Sequence, residues 1–354
     1  VLARFFEPKI KLVDIMLFSR QMYTLLKAGV PILRALAGLQ DSNENTAMAR
    51  VLRDLRENLD SGRELSTAMR RHPQTFSAFY VSMVRVGEMT GMLEDVFLRL
   101  FHYLEFEKMT REQIKAALRY PTIVIITMGL ALAVINIFVI PAFARVYAGF
   151  NTELPLLTRG LLGFSNFMVS YWWLLIAGAA ALWFGFKAYI ARPDGRYRWD
   201  RFKLRIPIAG PIIRKATLAR FARSFALASR SGIPIVQAFT VVAQVVDNAF
   251  IAQRVEQMRD GIERGESVLR TAVTAGVFNP VVLQMVAVGE ETGELDDLLQ
   301  EIAEMYDREV EYEVKNLSAK IEPVLVMGLG VIMLILALGV FLPIWDLSQA
   351  ALKR

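Results

Sequence analysis

Two carboxylates recur in one setting: Glu88 stands within Val86-Gly-Glu-Met-Thr-Gly91 and Glu290 within Val288-Gly-Glu-Glu-Thr-Gly293, 202 residues further on. Glutamates on a surface turn could act as oxygen ligands for a hard cation such as calcium, with Glu291 and Glu294 close by in the second case, or could meet a charged partner. They also have a structural explanation. Gly87 and Gly289 would let two helices approach, Gly91 and Gly293 would end a helix, Thr90 would bond back to it, and Glu94 and Asp95 would suit the first turn of the next one. Arg20 and Arg223 recur with the same symmetry on otherwise apolar helices, which predicts ion pairs from Arg20 to Glu88 and from Arg223 to Glu290.

Other chemistry finds little support. His72 and His102 are the two histidines, neither has a second histidine at ligand spacing, and there is no cysteine, so thiol and zinc-thiolate sites are excluded. The chain contains no Gly-x-x-x-x-Gly-Lys-Ser/Thr, no His-Glu-x-x-His and no Gly-x-Ser-x-Gly. Gly328 and Gly330 lie inside an apolar run without a third glycine, as a packing feature would. These absences leave no convergent set of catalytic groups, no P-loop and no resident cofactor, and they favour a protein that is not an enzyme.

The elements that position the carboxylates are themselves repeated. Phe18-Ser-Arg20 and Ala28-Gly-Val-Pro-Ile32 return as Phe221-Ala-Arg223 and Ser231-Gly-Ile-Pro-Ile235, Gly62 returns as Gly265, and Pro121 and Pro141 return as Pro323 and Pro343. A single one-residue gap aligns the copies, which implies one duplicated module. Apolar spacing is helical throughout, with Asp14 as the expected N-cap of the first helix, and no stretch alternates as a strand does. Gly29 and Pro31, like Gly232 and Pro234, spell a tight turn between antiparallel helices. Each copy therefore reads as a six-helix bundle, at 14–118 and 217–320.

The 354 residues are 54% hydrophobic, and the excess lies in long uncharged runs. Three transmembrane helices are expected, at 120–143, 170–190 and 323–343, the first and third continuing without a break from the last helix of each bundle. Asn136 in the first must bond to another helix, and Ala177, Ala181 and Gly185 give the second a small-residue face for close packing. The net charge of +6 does not point to nucleic acid. Basic residues crowd the 191–216 linker while 144–169 holds only Arg145 and Arg159, which predicts cytoplasmic bundles and N-terminus, an external 144–169 loop and an external 344–354 tail.

This combination resembles the GspF/PilC family, the inner-membrane platform proteins of bacterial type II secretion systems and type IV pili. The resemblance rests on the duplicated Gly-Val/Ile-Pro and Val-Gly-Glu-x-Thr-Gly-x-Leu motifs and on the order bundle, span, loop, span, bundle, span. It implies an all-α membrane protein with two homologous cytoplasmic six-helix bundles, working as a homo-oligomer that couples a hexameric assembly or retraction ATPase to pilin or pseudopilin, alongside other inner-membrane assembly proteins. It also implies calcium at Glu88 and at Glu290 with Glu294, although Met92 stands where the first copy would need its second carboxylate. The competing reading is a subunit of a membrane transporter or channel. Spans without ionisable groups speak against it.

Overall fold

The computed structural model describes residues 8–139, 141, 160, 163, 167, 168 and 170–352, and these form no strand. Most of the expected 144–169 loop, the last two residues of the tail and the side chain of Asn136 lie outside the described residues. In the first copy the helices are α1 (Leu12–Lys27), α2 (Ile32–Ser42), α3 (Thr46–Asp60), α4 (Leu65–Arg70), α5 (Ala78–Thr90) and α6 (Leu93–Val134), followed by a π-helical segment, Ile135–Val139. Then come α7 (Trp172–Ala191) and α8 (Pro193–Lys203), and the second copy brings α9 (Ala209–Arg230), α10 (Ile235–Val245), α11 (Ala249–Glu263), α12 (Val268–Ala275), α13 (Pro280–Thr292), α14 (Leu295–Lys315) and α15 (Leu317–Leu352).

The Gly-Pro turns form for the reason their sequence suggests. Gly29 adopts φ 77°, its N–H bonds to Leu26 O at 2.9 Å, and Val30 N–H reaches back to Leu25 O at 3.0 Å. Gly232 and Ile233 repeat this geometry onto Ser229 and Ala228. Only a residue without Cβ takes that φ cheaply, so glycine closes α1 and α9 at the same place. Asp14 departs from its expected role. The N-cap is Lys11, three residues earlier, and Asp14 accepts from Lys11 N–H at 2.7 Å and from Asn45 Nδ2 at 2.9 Å, so it ties the first turn to the start of α3.

The chain divides into two compact units, Val1–Gln113 with Tyr197–Glu313, and Ile114–Arg196 with Val314–Arg354. The first holds the helices of both bundles around an aromatic core. Phe18 meets Phe97 edge-on at 5.9 Å, and Phe225 meets Phe239 at 4.6 Å, all four fully buried. The 191–216 stretch, expected to be a basic linker, instead contains α8 and the start of α9. Asp200, buried on α8, explains why: its carboxylate accepts from Ala249 N–H at 2.7 Å and its carbonyl from Asn248 Nδ2 at 3.1 Å, docking α8 on the first turn of α11.

Among the described residues, three helical segments are long and apolar enough to cross a membrane, and their apolar parts lie in the second unit. Of their most apolar windows only 6%, 0% and 6% is buried in the chain. Surfaces this apolar and this open require lipid or another apolar partner. The small-residue face of α7 is open as well. As expected, α6 runs on through Pro121 as one helix of 42 residues. The second copy differs, because the helix stops at Lys315 and resumes at Leu317. Asn316, a poor helix former that stands where the first copy has Ile114, fills the break, and its carbonyl accepts from Lys320 N–H at 3.0 Å.

Candidate functional site

The repeated glutamates do one job in both copies. Glu290 accepts through its two oxygens from Val268 N–H at 2.6 Å and Leu269 N–H at 3.0 Å, while Ser267 Oγ accepts from Arg270 N–H at 3.1 Å. Three N–H groups that α12 cannot satisfy itself are thereby bonded. Glu88 does the same for α4, taking Leu65 N–H and, at 3.0 Å, Ser66 N–H. The N-terminal end of a helix carries positive potential, so a carboxylate is favoured there on electrostatic grounds as well.

The rest of the motif holds that carboxylate in place. A Cβ at Gly87 would lie 3.0 Å from Leu93 Cδ2 and 3.1 Å from Val96 Cγ2, and one at Gly289 would lie 3.0 Å from the Leu295 backbone. The absent side chains let α5 close on α6 and α13 on α14. Gly91 and Gly293, both left-handed, reverse the chain between them, and Thr90 and Thr292 bond back to Val86 O at 2.8 Å and Val288 O at 2.9 Å. The motif is a clamp that joins three helices: the pair flanking the turn and the short helix held by the glutamate.

Two expectations need correction. Arg20 does not pair with Glu88; its guanidinium lies over Tyr23 and Phe101, 5.3 and 5.2 Å from the ring centroids. Nor does Arg223 pair with Glu290. It forms an ion pair with Asp307 and lies 3.6 Å over the Phe106 ring. The bare N–H groups of α4 and α12 hold the glutamates elsewhere. A calcium site meets the same obstacle. Both oxygens of Glu88 and of Glu290 are bonded to backbone, Glu294 is an exposed residue between α13 and α14, and among the described residues no three acids or histidines converge as a cation would require. Within one chain these residues do not fit that ion.

Sequence reasoning missed the seam where the two copies meet. Along it α5 packs on α10, and α6 meets α9: Arg220 bridges Asp247 and, at 3.8 Å, Glu107, beside the Arg223–Phe106 stack. Burial drives the hydroxyl pKa of Tyr103 well above its ordinary value and raises that of Asp307 to about 6, the Arg223 charge opposing only part of the latter shift. A cavity of about 250 Å³ lies in the seam, lined by Arg99, His102, Tyr103, Arg223, Arg230 and their neighbours. A second, apolar groove of about 460 Å³ runs between α6 and α15, bordered by Ile123, Thr127, Leu325 and Leu329, with Glu322 at its edge.

Comparison with known proteins adds what geometry alone does not. The family model "Type II secretion system (T2SS), protein F" matches twice, at residues 18–141 and 221–343. The type IV pilus assembly protein PilC of Thermus thermophilus is 38% identical over 336 residues, which cover 94% of this chain and 82% of that protein. TapC of Aeromonas hydrophila, also a type IV pilus assembly protein, is 34% identical over 342 residues, covering 96% and 83%. The type II secretion system protein F of Pseudomonas aeruginosa is 31% identical over 336 residues, covering 95% and 83%.

Proposed function

The chain belongs to the type II secretion system protein F family, and from that premise we propose a mechanical role for its duplicated module in the inner-membrane platform of a pilus or secretion machine. A cytoplasmic ATPase engages the bundles, and the resulting movement passes along α6 and α14–α15 to the spans. Pilin or pseudopilin is the cargo. Its apolar segment is received against the groove between α6 and α15, whose open, mostly apolar walls suit a lipid-soluble helix and not a hydrophilic substrate. Basic residues from Arg192 to Arg220 keep the bundles and the N-terminus on the cytoplasmic side of a bacterial inner membrane. No reaction is assigned to the chain; the work comes from the motor it contacts.

One observation carries this reading. The family match begins in the first helix of each bundle and ends in the span that follows it, so bundle and membrane rod are inherited as one element. Clamping by Glu88 and Glu290 gives that element stiffness at the base of the rod. Purification of the tagged full chain from membranes in mild detergent, after cross-linking in cells, tests it: a hexameric ATPase and a pilin-like subunit should be recovered. Recovery of neither, together with normal fibres or secretion in a strain lacking the chain, would overturn it.

A further inference from the structure

The two copies share one fold but are not equally covered. Phe79 on α5 is 1% exposed, whereas its counterpart on α13, Val281, is 53% exposed. Met83 is fully buried and Met285 only half-buried. On the other side of the seam the imbalance reverses: Ser224 on α9 is fully buried while Gln21 on α1 is exposed, and Val241 on α10 is buried while Gly38 on α2 is exposed. The seam causes this. It joins unlike faces, α5–α6 of the first copy to α9–α10 of the second, and so uses each kind of face once. Among the described residues, the second copy's α13–α14 face and the first copy's α1–α2 face are left open, both bearing exposed apolar side chains such as Val281, Val288, Leu17 and Leu33.

We propose that these two faces pair between chains, so that α13–α14 of one molecule docks on α1–α2 of the next and repeats the internal seam in trans. Charge favours the pairing. Inside the chain, Arg99, with His102 beside it, faces Arg223 and Arg230 across the 250 Å³ cavity, arginine towards arginine, held by carboxylates of their own copies such as Asp95, Asp307 and Asp297. At the equivalent positions of the open faces stand Glu301 and Glu304 on one side and Arg20 and Lys27 on the other, acids against bases. One position opposes the trend, since Arg308 replaces Phe106 opposite Arg20; Glu304 precedes it by one helical turn. A contact between unlike faces extends from chain to chain, and closes into a ring where its rotation returns to the first chain. Each copy also continues from the same helix into an apolar run, as successive chains in a single bilayer must. This inference rests on the repeat and on burial, not on the platform reading, and a chain that links in trans without building a fibre would leave it standing.

The absence of cysteine makes the test direct. Arg20→Cys and Arg308→Cys, both at exposed positions equivalent to the Arg223–Phe106 contact, are placed in separately tagged full-length chains, co-expressed, and oxidised in native membranes. The expected product is a disulfide dimer carrying both tags, with neither variant linking to itself. Self-linking of Arg20→Cys or of Arg308→Cys, linking of either to a different protein, or no mixed dimer would each overturn the proposal. A second variant guards against a poorly placed thiol. Arg20→Glu with Lys27→Glu should lower the oligomeric fraction in detergent by about tenfold, and Glu301→Lys with Glu304→Lys in the same chain should restore it. Failure of that restoration would also count against the pairing.

Discussion

Removing the glutamate carboxylate is the sharpest perturbation of the clamp. In Glu290→Ala, Val268 and Leu269 lose their acceptors, while Ser267 still serves Arg270. A hydrogen bond to a charged group contributes about 1.5–3 kcal/mol. Water reaches this partly exposed end of α12 and replaces some of that, so the pair is expected to cost roughly 2–4 kcal/mol. For a unit of this size, 1 kcal/mol shifts Tm by about 2–4 °C, which predicts a fall of roughly 5–15 °C in thermal unfolding of the full chain in detergent. Glu290→Gln keeps one acceptor oxygen and should lose about half as much. Glu88→Ala should cost more than Glu290→Ala, because α4 has no bond from its own N-cap side chain. The same scans with calcium and with chelator separate capping from metal binding: capping predicts an unchanged gap between wild type and variant. A loss below about 0.5 kcal/mol, the range of neutral surface changes, or a gap that vanishes on chelation would refute the capping account.

Three further outcomes follow from the same geometry. Gly289→Ala places a methyl 3.0 Å from the Leu295 backbone and Gly87→Ala one 3.0 Å from Leu93 Cδ2; overpacking of this kind costs about 1–3 kcal/mol, and limited proteolysis should show cleavage appearing between α13 and α14 or between α5 and α6. Asp200→Ala frees Ala249 N–H and should lower stability by about 1–3 kcal/mol, with amide exchange rising in the first turn of α11. Asp307 carries a folded-state pKa of about 6, above its ordinary value of 3.8, so its contribution to stability is fully present below about pH 4 and is lost as pH rises through 6. Asp307→Asn removes that dependence, and its unfolding midpoint should gain on that of wild type between pH 4.5 and 6.5; a gap that stays constant over this interval would refute the burial argument.

Much of this was legible in residue order. Glycine followed by proline closes α1 and α9, apolar spacing gives the helices, and charge-free runs give the spans, because each depends on neighbours a few residues away. The destinations of polar side chains were not legible in that way. Glu88 finds its partners 22 and 23 residues upstream, and nothing in the Gly-Glu-x-Thr-Gly motif says that the bare end of α4 lies beside it. A recurring arginine and a recurring glutamate invited a pairing by symmetry, yet a helix terminus competes for the same carboxylate and wins. Asp200 is the same case: the cations around it, Arg198, Arg201 and Lys203, favour an acid there in any event, and its bond to Ala249 N–H comes from 49 residues further on.

Differences between the copies carry the information that their likeness cannot. Where both copies keep a residue, as at Gly87 and Gly289 or Glu88 and Glu290, it serves the inside of one bundle and must do so twice. Where they part, as at Leu17 and Arg220, Gln21 and Ser224, or Phe106 and Arg308, the positions lie on surfaces that the seam covers in one copy and leaves open in the other. Arg220 can be an arginine because Glu107 and Asp247 receive it; Leu17, at the same place without that cover, is 49% exposed. At these positions the difference follows the joint, and the residues that stand on the outer faces, acids on α14 and bases on α1, are those that would attract a neighbour.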